Sequence, residues 1–447
     1  MTIKTRFAPS PTGMMHVGNA RTALISWLFV RKNNGKFLLR IDDTDAERSK
    51  VEYEHEIEAA LTWMGLDWDE KANQKDRWDL YNVRIEELKS SGRIYACYET
   101  PEELSLKRKT QLNRGKPPIY DREGLSLTSE QKAAFEAEGR TPHWRFLLTD
   151  TPIEWDDQIR GAVKFEGSDL SDPVVLREDG TPLYHLCSVI DDIDLNITHI
   201  LRGEDHVSNT ATHVQMFEAL GATPPTFAHM SLISDADGGK LSKRLGSMNL
   251  RDLREDEGLE AMSINSLLAR LGTSDPIESY GEIAPLIESF DFSKFSRGTP
   301  KFDMDELFRL NAKILHDMDF AVAQPKLAAI GLDNVDEKFW IAVRANLEKL
   351  SDIKDWWHVA KEDITPVIED EDADYIATAL TLLPAAPWNE NSWNEWVNAV
   401  KEATGRKGKG LFMPLRQALT GMGHGPEMPV MFQLIGPELT RARLTSK

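Results

Sequence analysis

The stretch from Ile3 to Ile41 restricts the fold more than any other part of the chain. Ile3 to Ala8 is short and partly apolar, as a strand is. Pro9-Ser-Pro-Thr-Gly13 then breaks regular structure, because each proline fixes φ and removes a backbone donor. Apolar residues recur at Ala20, Ala23, Leu24, Trp27, Leu28 and Val30, the spacing of a helix face. Asn33-Asn-Gly35 stops that helix, and Lys36 to Ile41 reads as a second strand. Strand, turn, helix and strand make a βαβ unit of the nucleotide-binding type, which calls for a parallel sheet with helices packed on it.

The rest of the chain supports a multidomain reading. At 447 residues with 41% apolar content it exceeds one ordinary core. Val51 to Met64 and Arg77 to Ser90 are helical, with Gly65 as a stop. From Cys97 to Asp179 the pattern changes to a basic helix, the turn at Pro117-Pro118, and strand-like runs such as Trp144-Arg-Phe-Leu-Leu148, as in an insertion. Apolar strand and amphipathic helix return between Leu183 and Leu220, and Asp237-Gly-Gly239 forms a turn into Lys240. Beyond Phe292 the pattern is mostly helical, with Glu369 to Asp374 as an exposed loop or helix start.

The net charge of −20 argues against a general nucleic-acid binder, though not against local basic patches. One lies around Lys107, Arg108, Lys109, Arg114 and Lys116. The other is the tail from Thr404, where Arg406, Lys407, Lys409, Arg416, Arg441, Arg443 and Lys447 face only Glu427 and Glu438. No apolar run reaches the roughly 18 residues of a membrane span. The N-terminus lacks a signal core, and Cys97 and Cys187 cannot build a disulfide framework, so a reducing cytoplasm is expected.

Two motifs carry chemistry. In Arg6-Phe-Ala-Pro-Ser-Pro-Thr-Gly-Met-Met-His-Val-Gly-Asn-Ala-Arg-Thr22, a strand ends, prolines stiffen the turn, and His16-Val17-Gly18 opens a helix. A helix N-terminus offers free N–H groups and partial positive charge to phosphate. Gly18 would let a nucleotide lie against the backbone, and His16 could donate to phosphate oxygens that gain charge. The second motif is Lys240-Leu241-Ser242-Lys243-Arg244, where two lysines three apart could close over a triphosphate and act as pyrophosphate leaves. Either motif alone reads as a capped turn or an exposed basic loop.

Together, His-x-Gly after the first strand and Lys-x-Ser-Lys after the last resemble the paired signatures of class I aminoacyl-tRNA synthetases. Phe7-Ala-Pro9-Ser10-Pro11-Thr12-Gly13 with His16-Val-Gly-Asn19-Ala-Arg-Thr22 is similar to glutamyl-tRNA synthetases of bacterial type. Arg40-Ile-Asp-Asp-Thr-Asp45, Asp179-Gly-Thr-Pro182 with Tyr184, Leu201-Arg-Gly-Glu-Asp-His206 and Leu411-Phe-Met-Pro-Leu-Arg416 extend the match in order. Glutaminyl relatives usually read Pro-Glu-Pro-Asn-Gly before the His-x-Gly, and the truncated paralogue that glutamylates a tRNA base lacks the helical half.

The resemblance implies a Rossmann-type parallel-sheet catalytic domain in two halves (1–90 and 184–238), with an inserted acceptor-stem-binding domain at 91–183. A stem-contact domain with the KLSKR loop follows at 239–305, then a mostly helical anticodon-binding region at 306–447. It implies ATP-dependent formation of glutamyl-adenylate, then transfer to the 3′-terminal adenosine of tRNA with release of AMP and pyrophosphate. Catalysis would fall to His16, Lys240 and Lys243, and ATP contact to His16, Gly18, Asp205, His206 and Lys243. Glutamate would meet Arg6, Ser10, Asp42 (where the family usually carries glutamate), Tyr184, Ser188 and Arg202. Lys107, Arg108, Lys407, Lys409 and Arg416 would touch tRNA. The implied partners are L-glutamate, ATP with substrate-borne Mg²⁺, and a glutamate-accepting tRNA, with glutamine tRNA as a second acceptor in some relatives; a monomer is the family habit. Some relatives hold zinc in the insert through Cys-x-Cys and Cys-x-His pairs. Here Cys97 is followed by Glu99, and Tyr120 to Ser126 has neither Cys nor His, so no zinc and no other resident metal is expected.

Overall fold

The computed structural model describes residues 2–235 and 249–445. They form two compact units. One holds the chain up to Leu253 with Asn265–Ile277 and Glu282–Asp303; the other holds Arg254–Ile264, Glu278–Gly281 and Met304–Lys447. The turn at Asp237 and the motif Lys240 to Arg244 lie outside the described residues. No described helix is long and apolar enough to cross a membrane.

In the first unit, β1 (Lys4–Phe7) leads through α1 (Val17–Lys32) to β2 (Lys36–Ile41), and β1 and β2 pair in parallel. The chain continues through α2 (Val51–Trp63) to β3 (Glu70–Asn73), which extends the parallel sheet beside β2, and then into α3 (Trp78–Ser90). Gly65 ends α2 with a φ of 74°, a conformation that suits glycine. β2 is buried at every position but Lys36, as befits a strand covered on both faces. The apolar spacing predicted a single buried face for α1. The helix is buried nearly all round instead, because Arg21 and Ser26 also turn inward.

The insertion follows. β4 (Ile94–Cys97) leads into α4 (Pro101–Asn113), α5 (Glu123–Ser126) and α6 (Ser129–Ala137). Thr100 starts α4 with a capping box: its Oγ1 accepts from Glu103 N while the Glu103 carboxylate accepts from Thr100 N. β5 (His143–Phe146) pairs antiparallel with β4 and with β8 (Val174–Leu176). Between them, β6 (Ile153–Asp157) and β7 (Gly161–Phe165) form a hairpin.

The chain then returns to the first sheet as α7 (Tyr184–Asp194), β9 (His199–Gly203), α8 (Val207–Ala219) and β10 (Thr226–Met230). β9 and β10 are parallel. β9 lies beside β1, since Thr198 N donates to the Lys4 carbonyl at 3.0 Å and Lys4 N to the Thr198 hydroxyl at 2.8 Å. The spatial order is therefore β3-β2-β1-β9-β10, and the carboxyl ends of β1 and β9 meet where the strand order switches, the place where such sheets bind ligands. Leu38, Tyr81, Ile94, Phe146, Val189, Ile200 and Phe227 share one hydrophobic core, so the inserted strands pack continuously with the sheet.

The second unit has no strand among its described residues and is built of helices such as Met304–Asp317, Ala373–Thr381, Ser392–Thr404 and Lys409–Thr420. Phe432 stacks between Trp388 at 3.9 Å and Trp396 at 5.1 Å in its core. The acidic run makes a short turn at Asp370–Asp372 and opens the helix at Ala373, with buried Asp372 bound by Arg406.

Candidate active site

A cleft of about 630 Å³ opens at the carboxyl ends of β1 and β9. It gathers Arg6, Pro9, Ser10, His16, Gly18, Asn19, Asp42, Tyr184, Arg202, Asp205 and His206 from segments far apart in the chain. Ser188 is not among its walls. It is buried on α7, with its hydroxyl 3.3 Å from Arg40 Nη2. Val17 packs in the core, and Thr12 lines an adjoining cleft of about 730 Å³ that shares Ser10, Asp42 and Tyr184 and adds Trp78 and Arg177.

His16 is the N-cap of α1. Its Nδ1 accepts from Gly18 N at 3.1 Å and Asn19 N at 3.4 Å, satisfying two N–H groups that a helix start leaves free. Burial lowers the His16 pKa, favouring the neutral ring. With Nδ1 accepting, the ring proton sits on Nε2, the nitrogen left to donate to a ligand. Gly18 has a further reason to be glycine. A Cβ there would stand 3.0 Å from His16 Cε1, so glycine makes room for the imidazole itself.

Behind the cleft lies a buried ionic network. Arg40, fully enclosed, donates to Asp42 at 2.7 Å and to Asp192 at 2.8 Å. Arg6 Nε binds the same Asp192 oxygen at 3.1 Å, which orients its guanidinium along the cleft wall. Asp191 is held by Arg77, Gln74 and Tyr81. Burial pushes the Asp42 carboxyl up to about 6, against the pull of Arg40. Arg202 is buried and differs from both other arginines. Its donors reach His229 Nε2 (3.3 Å), Tyr184 OH (3.3 Å), Thr210 Oγ1 (2.6 Å) and His213 Nδ1 (3.5 Å), and it forms no ion pair among the described residues. Burial lowers its pKa, but a guanidinium stays charged. The cleft thus presents a fixed positive charge oriented by formally neutral acceptors, beside a helix start capped by His16, whose Nε2–H is left to donate.

Residues 2–309 match the family described as tRNA synthetases class I (E and Q), catalytic domain, and residues 336–446 match an anticodon binding domain. The chain is 54% identical to glutamate–tRNA ligase 1 of Maricaulis maris over 99% of both chains, and 52% identical to glutamate–tRNA ligase of Azospirillum brasilense over 100% of both. The chain belongs to the glutamate–tRNA ligase family. A crystal structure of a glutamate tRNA ligase from Elizabethkingia meningosepticum in complex with its amino acid superposes with a TM-score of 0.87 at 29% identity, covering 99% of this chain and 98% of that one. The protein is a class I aminoacyl-tRNA synthetase, with a parallel-sheet catalytic domain and a helical anticodon-binding region.

Within this ligase, several cleft residues escaped sequence reading. Gly203 lines it, and a Cβ there would meet Asp205 Oδ1 at 2.5 Å. Arg21 also lines it, clasping the Ser231 and Leu271 carbonyls at 2.7 and 2.8 Å. Arg21 lies in the motif that opens α1, but helical spacing gives it no role there; its burial does. The basic residues assigned to RNA divide. Arg108, Lys407 and Lys409 are exposed. Lys107 instead turns its ammonium to Glu99 at 3.3 Å, Asp121 at 3.1 Å, and Glu123. Arg416 is turned inward, donating to the Pro426 carbonyl at 3.0 Å.

The region of Cys97 also holds a histidine that sequence reading missed. β4 and β5 set Cys97 opposite His143, and Cys97, Glu99 and His143 offer donors within 4.8 Å of one another. This set does not fit a structural zinc, which takes four N/S ligands. It provides one thiol and one imidazole, Lys107 already sits on the carboxylate, and burial raises the Cys97 pKa to about 11.

Proposed function

We propose that the protein binds L-glutamate with its side-chain carboxylate on Arg202 and Arg6, activates it with ATP, and transfers it to the 3′-terminal adenosine of tRNA. The observation that carries this reading is the Arg202 guanidinium: buried, charged, and surrounded by acceptors that leave its charge uncompensated. Such a group gains most from a ligand carboxylate, with Tyr184 OH and Ser10 beside it. Asp42 faces the same space as the acid for the substrate ammonium. Ser188 supports Arg40 rather than touching substrate.

ATP lies over Gly18 at the start of α1, with His16 Nε2–H donating to its phosphates and His206 near the nucleotide. Lys240 and Lys243 act on the β- and γ-phosphates. Mg²⁺ travels with the nucleotide, held by phosphates and water. The α-carboxylate attacks the α-phosphorus in line and pyrophosphate leaves. A ribose hydroxyl of the tRNA then attacks the acyl carbon and AMP leaves. No enzyme nucleophile is needed; positioning and charge stabilisation supply the rate. The adjoining cleft with Trp78 and Arg177 suits the terminal adenosine, because it opens onto Ser10, Asp42 and Tyr184. The insert at 91–183 holds the acceptor stem, the 239–305 segment the inner corner and the 306–447 region the anticodon. There Phe412, exposed near Lys407 and Lys409, offers an aromatic face and positive charge to an unstacked base. The enzyme works as a cytoplasmic monomer.

Purified enzyme assayed with separate glutamate and glutamine tRNAs tests this. Charging of the glutamate tRNA alone marks a discriminating ligase, and charging of both a non-discriminating one. Charging of neither by folded enzyme with ATP overturns the proposal.

A further inference from the structure

The buried arginine of the cleft is oriented from outside the nucleotide-binding frame. Arg202 Nε donates to His229 Nε2 at 3.3 Å, and Arg202 Nη2 to Thr210 Oγ1 at 2.6 Å, which lies 2.8 Å from the same imidazole nitrogen. The other nitrogen of His229, Nδ1, meets Asp157 Oδ2 at 2.5 Å. Asp157 is the last residue of β6, in the insertion, whereas Arg202 and His229 belong to β9 and β10. His229, Thr210 and Asp157 are essentially closed to solvent.

The protonation pattern follows from the partners. Asp157 also accepts three backbone N–H groups, from Ile159, Arg160 and His229, at 3.0 to 3.1 Å. Despite the cost of burial, these bonds and the one from His229 hold its carboxyl below the usual range. Burial lowers the His229 pKa, which keeps the ring neutral. An ionised carboxylate can only accept, so the single ring proton lies on Nδ1 and Nε2 is a bare acceptor aimed at Arg202. Had an acid taken that place, it would have cancelled the charge that the ligand needs. A neutral imidazole fixes the guanidinium and leaves its charge free.

We propose that Asp157 and His229 are positioning residues for the substrate carboxylate: Asp157 sets the tautomer of His229, and His229 sets the orientation of Arg202. This rests on the reading of Arg202 as the partner of the glutamate side chain. The alternative is a purely structural role, in which Asp157 and His229 only fasten the β6–β7 hairpin to β10.

Substitutions at 229 separate the two, because asparagine and glutamine each reproduce one imidazole nitrogen. His229→Asn keeps a donor toward Asp157 and removes the acceptor for Arg202. His229→Gln extends an acceptor toward Arg202 and gives up the Asp157 bond. Full-length enzyme is assayed for aminoacylation of glutamate tRNA, with melting temperature measured for each variant. His229→Asn is expected to raise the glutamate KM about tenfold, the effect of one lost buried hydrogen bond to a charged group, and to change kcat and the ATP KM little. His229→Gln is expected to stay within about threefold of the parent in glutamate KM. Asp157→Asn, which lets the proton move to Nε2 and face the arginine donors, is expected to behave like His229→Asn. A structural role predicts the reverse order at 229, or falls in melting temperature with the glutamate KM unmoved; either result overturns the proposal. If Asp157→Asn does not fold, the 229 pair decides. Arg202→Lys serves as the separate control: an unchanged glutamate KM there refutes the reading of Arg202, whereas a raised one with silent 229 variants refutes the positioning role alone.

Discussion

His16 Nδ1 accepts the backbone N–H of Gly18 at 3.1 Å, and a Cβ on Gly18 would press against the same ring at 3.0 Å. One residue therefore caps the helix and aims a donor, and the other leaves it room. His16→Asn keeps a capping side chain, so stability should change by less than about 1 kcal/mol. Loss of the proposed phosphate donor should lower ATP–pyrophosphate exchange, measured with tRNA present, by about 10²- to 10³-fold. Gly18→Ala should also lower exchange, by displacing the ring. Exchange rates within threefold of the parent for both variants would contradict this account of His16.

Asp42 supplies a pH dependence with a definite sign. Its carboxyl is pushed up to about 6 by burial. As pH falls through that value the group takes a proton and loses the charge that, as proposed, pairs with the substrate ammonium, so the glutamate KM should rise on the acid side. Asp42→Asn should give a raised KM that is flat between pH 5.5 and 8, on the order of a tenfold loss or more. An unaltered profile in the variant would remove Asp42 from the ammonium site.

Lys107 is expected to matter to the insertion more than to RNA. Its ammonium lies among Glu99, Asp121 and Glu123. Lys107→Met leaves those carboxylates facing one another, so the melting temperature should drop by a few degrees and partly recover at low pH as they take protons. The affinity for tRNA should change less than about twofold, whereas Arg108→Ala should weaken it in a salt-dependent way. Filter binding across a salt series, beside thermal melts, distinguishes the two.

In the helical unit, Phe412 and the exposed Lys407 and Lys409 should act by different physics. Phe412→Ala should reduce tRNA affinity by about 1–3 kcal/mol with the salt slope unchanged, as loss of a stacking face does. Lys407→Ala and Lys409→Ala should each reduce that slope by up to about one. Equal slopes in all three variants would place the RNA elsewhere.

The sequence by itself determined the frame and the helix start that borders the cleft. The change from strand to helical period across Pro9 to Gly13, with His16 and Gly18 at the helix start, depends on neighbours in the chain, and local spacing reports neighbours faithfully. Arg6, Ser10, Tyr184 and Arg202 could be named because they sit in contiguous motifs, and the fold brings them to one cleft. What only the tertiary structure decided is which groups face each other. Ser188 stands one helical turn after Tyr184 yet turns to Arg40, and Lys107 lies in a basic run yet turns to three carboxylates. His143 reaches Cys97 through strand pairing, and Asp157 reaches His229 across 72 positions of chain. Charge and hydrogen-bonding partners are chosen by proximity in space, where burial removes water as the competing partner, and sequence spacing carries no record of that choice.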